Sequence, residues 1–186
     1  SSYPPSIAFK AAQIQDNEKA ILMLRVLKEM VFLEKKNITK WEHLETAATK
    51  VGLNISEFKA DYEGNAAALF NADLEVGRQL GVRGFPTLFF TNKSGQTEMI
   101  YGTKPYDTYE NALLKLNPKA TKTNYDKTWS SVFSKFSSLT AKEFAVLTET
   151  DRTESEKILN DLTQQGYLEI YSTKNGAIWK LKNSSL

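Results

Sequence analysis

The sequence predicts an α+β protein in two parts, on three observations. Apolar residues recur at helical spacing through the first eighty positions. The period then switches to a short hairpin pattern over 87–101, followed by one more helix. After a polar stretch at 119–124, a second pattern of three short helices and a hairpin follows. With 186 residues, 41% hydrophobic and 25% charged, the chain has the composition of a globular protein of one domain, or of one domain with a small appendage.

The helices are punctuated by their own residues. Pro4-Pro5 suit a first turn, where no backbone N–H is needed, and Ile7, Ala8, Ala11, Ala12 and Ile14 give a short apolar stripe. Over 18–35, Ala20, Met23, Leu24, Leu27, Met30 and Val31 fall at i, i+3, i+4, i+7. Leu22, Val26 and Leu33 widen that stripe, so this is a core helix with a narrow polar face around Arg25, Lys28 and Glu29. Thr39-Lys40-Trp41-Glu42 fits a capping box for a third helix, which Gly52 stops. Asn54 opens a short fourth helix ended by Gly64. Asn65 opens a fifth, with Leu69, Ala72, Val76 and Leu80 on one face and Gly81 as its stop. Thr87-Leu88-Phe89-Phe90-Thr91 is a β-favouring run too apolar for an exposed edge; Asn92-Lys93-Ser94-Gly95 turns it into a second strand over 96–101. Pro105 leads into a helix carrying Tyr109, Ala112, Leu113 and Leu116, closed by Asn117-Pro118.

Beyond the polar stretch, Val132, Phe133 and Phe136 mark one helix. Thr140-Ala141-Lys142-Glu143 opens a second by a capping box, and Thr153-Glu154-Ser155-Glu156 a third, with Gly166 as stop. Strands over 167–171 and 177–181 flank a Lys174-Asn175-Gly176 turn, whose Asn-Gly pair favours a tight hairpin. Three helices then a hairpin is the layout of a winged helix, expected over 125–182.

Composition excludes several chemistries. There is no cysteine, so thiolate catalysis, thiolate metal sites and disulfides have no residue to work with. The single histidine, His43, leaves a Ser-His-Asp triad and a multi-histidine metal site without parts, and is expected to be a solvated imidazole. Twenty-four basic residues against 22 acidic ones give a net charge of +2, which argues against a nucleic-acid-binding protein. In the third helix of the second part, Glu154, Glu156 and Asp161 face only Lys157, the wrong field for a recognition helix among phosphates. No apolar run reaches the length of a membrane span. No catalytic residues, metal ligands or cofactor are assigned.

The most informative segment is Gly84-Phe85-Pro86-Thr87, between a helix stop and a buried strand. A proline there cannot donate to the ladder and belongs at the strand's start. Phe85–Pro86 is a candidate cis bond, with a trans proline opening the strand as the alternative. A helix, this turn, a two-stranded hairpin and a closing helix resemble the C-terminal half of a thioredoxin fold. The block opening Ser2-Tyr3-Pro4-Pro5-Ser6-Ile7-Ala8-Phe9, together with Val31-Phe32-Leu33-Glu34-Lys35-Lys36-Asn37-Ile38 and Val51-Gly52-Leu53, is similar to the helical insertion of the DsbA family, in its FrnE-type members. The resemblance covers about residues 2–116. With Gly102-Thr103-Lys104-Pro105-Tyr106-Asp107-Thr108-Tyr109 and the second part, it points to the branch of the YjbH/SpxH adaptors, which present the regulator Spx to the ClpXP protease.

The resemblance implies a DsbA-like thioredoxin portion over 1–118, with its helical insertion at 4–81 and its hairpin and helix at 86–116. The family's Cys-x-x-Cys lies ahead of the insertion, and this chain starts inside the insertion. What the resemblance carries over is a substrate-binding turn, Gly84, Phe85, Pro86 and Thr87, in which Phe85 offers backbone groups to an extended peptide and Pro86 shapes the groove. Two strands alone make a marginal sheet, and an apolar edge invites association, so a missing N-terminal segment or another chain is expected to pair with strand 87–91. The implied function is a DsbA-family thiol-disulfide oxidoreductase or isomerase, inactive as written for want of its cysteines. The alternative is a non-catalytic adaptor of the YjbH/SpxH type. The implied partners are a protein substrate or client peptide, with no nucleic acid and no membrane. The implied location is cytoplasmic.

Overall fold

Local signals at the helix ends set the course of the chain. In the computed structural model, which describes residues 1–174 and 176–182, prolines occupy the first turn of α1 (Tyr3–Gln15). Asp16 is extended, and its carboxylate accepts from the N–H groups of Glu18 and Lys19 to start α2 (Asn17–Phe32). Asn54 caps α4 (Ile55–Glu63) in the same way, and Gly52, at φ +73°, ends the turn after α3 (Trp41–Lys50). The thirteen-residue α1 turns a face of Ala8, Ala11 and Ala12 inward. These small side chains let α2 and α4 approach closely, and Ala20, Met23, Leu27, Met30, Leu44 and Phe58 complete a buried core with them.

Three expectations are corrected here. Thr39 does not cap α3: its hydroxyl and N–H both go to the Asn37 side chain, at 2.8 and 3.1 Å, and Lys40 occupies the N-cap position without a side-chain bond. Leu24 and Val31 are not core. The buried face of α2 is centred on Met23, Leu27 and Met30, one step around the helix, leaving Leu24 at 44% and Val31 at 36% exposure. His43 is half-buried rather than fully solvated, with Nδ1 2.8 Å from the Asn37 carbonyl oxygen.

The C-terminal module follows the expected order, with α7 (Trp129–Lys135), α8 (Ala141–Thr148), α9 (Arg152–Gln164), β3 (Leu168–Thr173) and β4 (Gly176–Leu181). The Thr140/Glu143 capping box forms, whereas α9 is capped by Asp151 rather than Thr153. Asn175 of the expected hairpin turn lies outside the described residues. Leu139 exchanges both backbone bonds with Trp179 at 3.0 and 2.8 Å, so β4 is flanked on both sides. Phe133, Phe144, Leu159, Leu168 and Trp179 form the module's own core.

Backbone contacts join residues 1–70 and 125–186 in one unit and place residues 71–124 in a second. The first unit is clamped by charges on the polar face of α2. Arg25 makes a two-pronged bond to Glu143, with Nη1 at 2.6 Å and Nη2 at 3.2 Å, and donates Nε to Glu29 and to the Ser138 hydroxyl. Glu29 accepts further bonds from the Ser138 hydroxyl and from Lys180 Nζ. Burial alone would push both carboxyls up. For Glu143, the Arg25 guanidinium and the Thr140 N–H outweigh burial and hold its pKa at about 2 instead of 4.5; for Glu29, Ser138, Lys180 and Arg25 hold it below its ordinary range.

The second unit is thin. It holds residues 71–79 of α5 (Ala66–Gln79), with β1 (Thr87–Thr91), β2 (Thr97–Tyr101) and α6 (Tyr106–Leu116). The strands pair antiparallel, Thr87 opposite Tyr101 through Thr91 opposite Thr97, and α6 packs across both. Asn92 Oδ1 accepts from the N–H groups of Ser94 and Gln96 and fixes the connecting turn. Of the expected apolar face of α5, Ala72, Val76 and Leu80 are exposed, because no described element of the unit covers them.

Removing Arg25 leaves two partly buried carboxylates short of a cation. Arg25→Met is expected to cost about 2 kcal/mol, discounted from a fully buried pair because Glu143 is partly solvated. Glu143 is held low, so its contribution is complete above its ordinary 4.5 and fades as pH falls from there toward 2. Thermal melts from pH 7 to 2 are expected to show the gap between the native protein and Glu143→Gln closing across that window.

Candidate functional site

The predicted site residues form the turn that delivers the chain from α5 into β1. Gly81, at φ +71°, closes the helix, and the backbone then bends through Gly84 to a cis Phe85–Pro86 bond. The Thr87 hydroxyl donates to the Gly84 carbonyl at 2.6 Å, and the Gly102 N–H donates to the Pro86 carbonyl at 2.8 Å, tying the turn to the end of β2. Gly84 packs under a tyrosine: a Cβ at this position would sit 2.9 Å from the Tyr101 hydroxyl oxygen. Phe85 projects with 91% of its surface exposed. Pro86 is exposed, and Thr87 is half-buried. The structure therefore brings all four residues into one short turn, with Tyr101 as a neighbour.

The register shows what the strand beside this turn can do. Pro86 bonds with Gly102 and Asn92 with Gln96, so the even-numbered positions of β1 exchange bonds with β2. Thr87, Phe89 and Thr91 then direct their N–H and C=O groups away from β2, to an edge that no other described strand pairs. Met99 and Tyr101 of β2, opposite Phe89 and Thr87 on the same face of the sheet, are each 55% exposed. A groove of about 670 Å³ lies between Phe90, the 92–94 turn and Leu113 and Leu116 of α6. The arrangement is that of a backbone edge with apolar side chains around it, suited to taking up an extended polypeptide.

Chemical groups are sparse. Among the described residues no cluster of His, Cys, Asp or Glu could hold a metal ion, and no helix is long and apolar enough to cross a membrane. Tyr101 was not among the predicted site residues; its signal in the sequence is its register position, opposite Thr87, where a strand neighbour falls beside a glycine turn. The charge cluster around Arg25 was missed as well, since nothing in the local sequence pairs position 25 with position 143.

Residues 1–111 match the thioredoxin family model. Similar proteins include those named ClpXP adapter protein SpxH from Halalkalibacterium halodurans, 31% identical over 183 residues; from Shouchella clausii, 30% identical over 185; and from Bacillus subtilis, 28% identical over 183. These matches cover 96–97% of this chain and 60–61% of the relatives. The chain thus spans about three fifths of the length of the curated relatives it matches.

Gly84 has room for one carbon only if Tyr101 moves. Gly84→Ala is expected to swing the exposed tyrosine ring aside with a stability loss below about 1 kcal/mol. The shift should appear in the Tyr101 side-chain NMR signals and leave those of the 1–70 core in place.

Proposed function

The chain belongs to the thioredoxin family, and from that premise we propose that it serves in a non-catalytic adaptor of the SpxH type, which holds a client protein for the ClpXP protease. The observation that carries this reading is the extent of the likeness. It runs past the thioredoxin-matched residues 1–111 and through the C-terminal module, over 96–97% of the chain, to proteins named as ClpXP adapters. With no cysteine in the chain, these residues cannot themselves exchange thiols with a disulfide, whereas recognition needs none.

In this reading, residues 1–118 are the thioredoxin-like portion and 125–182 a winged-helix-like docking module. The turn Gly84, Phe85, Pro86, Thr87 contacts an extended client segment, with Phe85 as the anchor because its exposed ring has apolar area for a partner to bury. The outward edge of β1 takes up a strand from residues outside this chain or from another protein. The site of action is the cytoplasm, as for an adaptor of an intracellular protease.

A second reading keeps the same turn as the substrate groove of a thiol-disulfide oxidoreductase or isomerase. The exposed Phe85 beside an outward-facing strand edge supports it, and the thiols would come from residues outside this chain.

The two readings separate in the full-length protein. On the adaptor reading, Phe85→Ala weakens binding of the regulator Spx by about 10-fold, the size of a modest hot spot, and slows its ClpXP-dependent degradation. The melting temperature stays unchanged, since Phe85 buries almost nothing in the chain itself. Unaltered Spx binding, together with turnover of a disulfide substrate by the full-length protein, would favour the oxidoreductase.

A further inference from the structure

The C-terminal hairpin carries a second open edge, and its register can be read from three backbone bonds. Trp179 donates its N–H to the Leu139 carbonyl and accepts the Leu139 N–H on its own, so it makes no bond with Ile170, the residue opposite it on β3. The Lys182 N–H bonds to the Tyr167 carbonyl, in the same phase. Tyr171 and Glu169 therefore exchange bonds with β4, and Ile170 and Ser172 direct their backbone groups outward. Among the described residues no backbone group meets them there.

The two faces of this hairpin differ. Leu168, Trp179 and Leu181 face the module's core, while Glu169, Tyr171, Ile178 and Lys180 face the C-terminal end of α2 across a groove of about 750 Å³. Leu33 and the buried Ile178 supply its apolar lining, and Tyr171 is 49% exposed at its mouth. The charges are unequal. Lys180, directly opposite Glu169, gives its ammonium to Glu29 at 2.9 Å, and Glu34 is held by Lys36 and Lys50. Glu169 has no cation within salt-bridge reach among the described residues, although it sits on the strand that has the open edge.

We propose that the outer edge of β3 is a docking site for an extended segment of a partner protein, which adds as a third strand to the hairpin. Cross-strand pairing specifies that segment: a basic residue beside Glu169 and, two places along, an apolar residue beside Tyr171 that enters the groove toward Leu33 and Ile178. The backbone edge supplies affinity and these two positions supply choice. The site lies in the unit formed by 1–70 and 125–186, whereas the turn at 84–87 belongs to the other unit, and it does not depend on the adaptor reading.

The test uses the full-length protein and a phage-displayed library of random nonapeptides as probe. Selection should enrich peptides with a basic residue two places from an apolar one, and the synthetic winner should slow amide exchange at Ile170 and Ser172. Ser172→Pro removes only an outward N–H, so the hairpin keeps its bonds while the edge is blocked; binding should fall at least about 10-fold. Tyr171→Ser, which leaves the edge intact, should weaken binding and relax the apolar preference. The proposal is overturned by no enrichment above an uncoated surface, by winners that bind Ser172→Pro as tightly as the native protein, or by concentration-dependent dimerisation that Ser172→Pro abolishes, which would make the occupant a second copy of the chain.

Discussion

Arg25 sits where the helical block and the C-terminal module meet, and the larger unit of the structure depends on how its charge is shared. Its guanidinium reaches Glu143, Glu29 and Ser138 at once, and Lys180 closes the group from β4. Such a group, half taken from water, contributes little stability compared with apolar packing, but breaking it leaves stranded charge. Its geometric effect is larger. It fixes α2 against both the start of α8 and the hairpin, and so builds the groove between Leu33 and Tyr171 from residues far apart in sequence. One side of α2 makes the core of the helical block through Met23, Leu27 and Met30, and the polar side holds the module.

The smaller unit has the opposite character. Ile100 and Ala112 are its buried apolar residues, while Phe85, Met99, Tyr101, Tyr106, Val76 and Leu80 all stand more than half exposed. Two strands, one helix and part of another, with so little buried surface, make a marginal fold alone. The open edge of β1 and the bare face around Tyr101 have the same physical cause, a sheet that ends after two strands. That combination of unpaired backbone and apolar side chains suits a surface for protein contact.

Much of this was legible in the sequence, because short-range rules governed it. The Pro4-Pro5 start, the caps at Asn54 and Thr140, the glycine stops at 52 and 81 and the hairpin at 87–101 follow from backbone chemistry within a few residues. Where the reading failed, a competing partner was nearby: Asn37 captured Thr39, and Asp151 capped α9 ahead of Thr153. The burial pattern of α2 and α5 was harder, since apolar periodicity says which residues share a face and not whether anything covers it. Leu24, Val76 and Leu80 satisfy the helical period and still face water. The charge clamp was illegible because it joins positions 25, 29, 138, 143 and 180, and nothing in the local pattern ties them together. The glycine and proline marked the bend at 84–87, and only the family resemblance offered it as a substrate-binding turn, while its neighbour Tyr101 came with the register.

On the adaptor reading, the exposed ring of Phe85 touches the client. A photo-crosslinking phenylalanine analogue placed at position 85 of the full-length protein, irradiated during ClpXP-dependent degradation of Spx, tests it directly. A crosslink to Spx, lost when excess unlabelled Spx competes, is the predicted result. Degradation that proceeds normally with no crosslink at position 85 would rule this contact out.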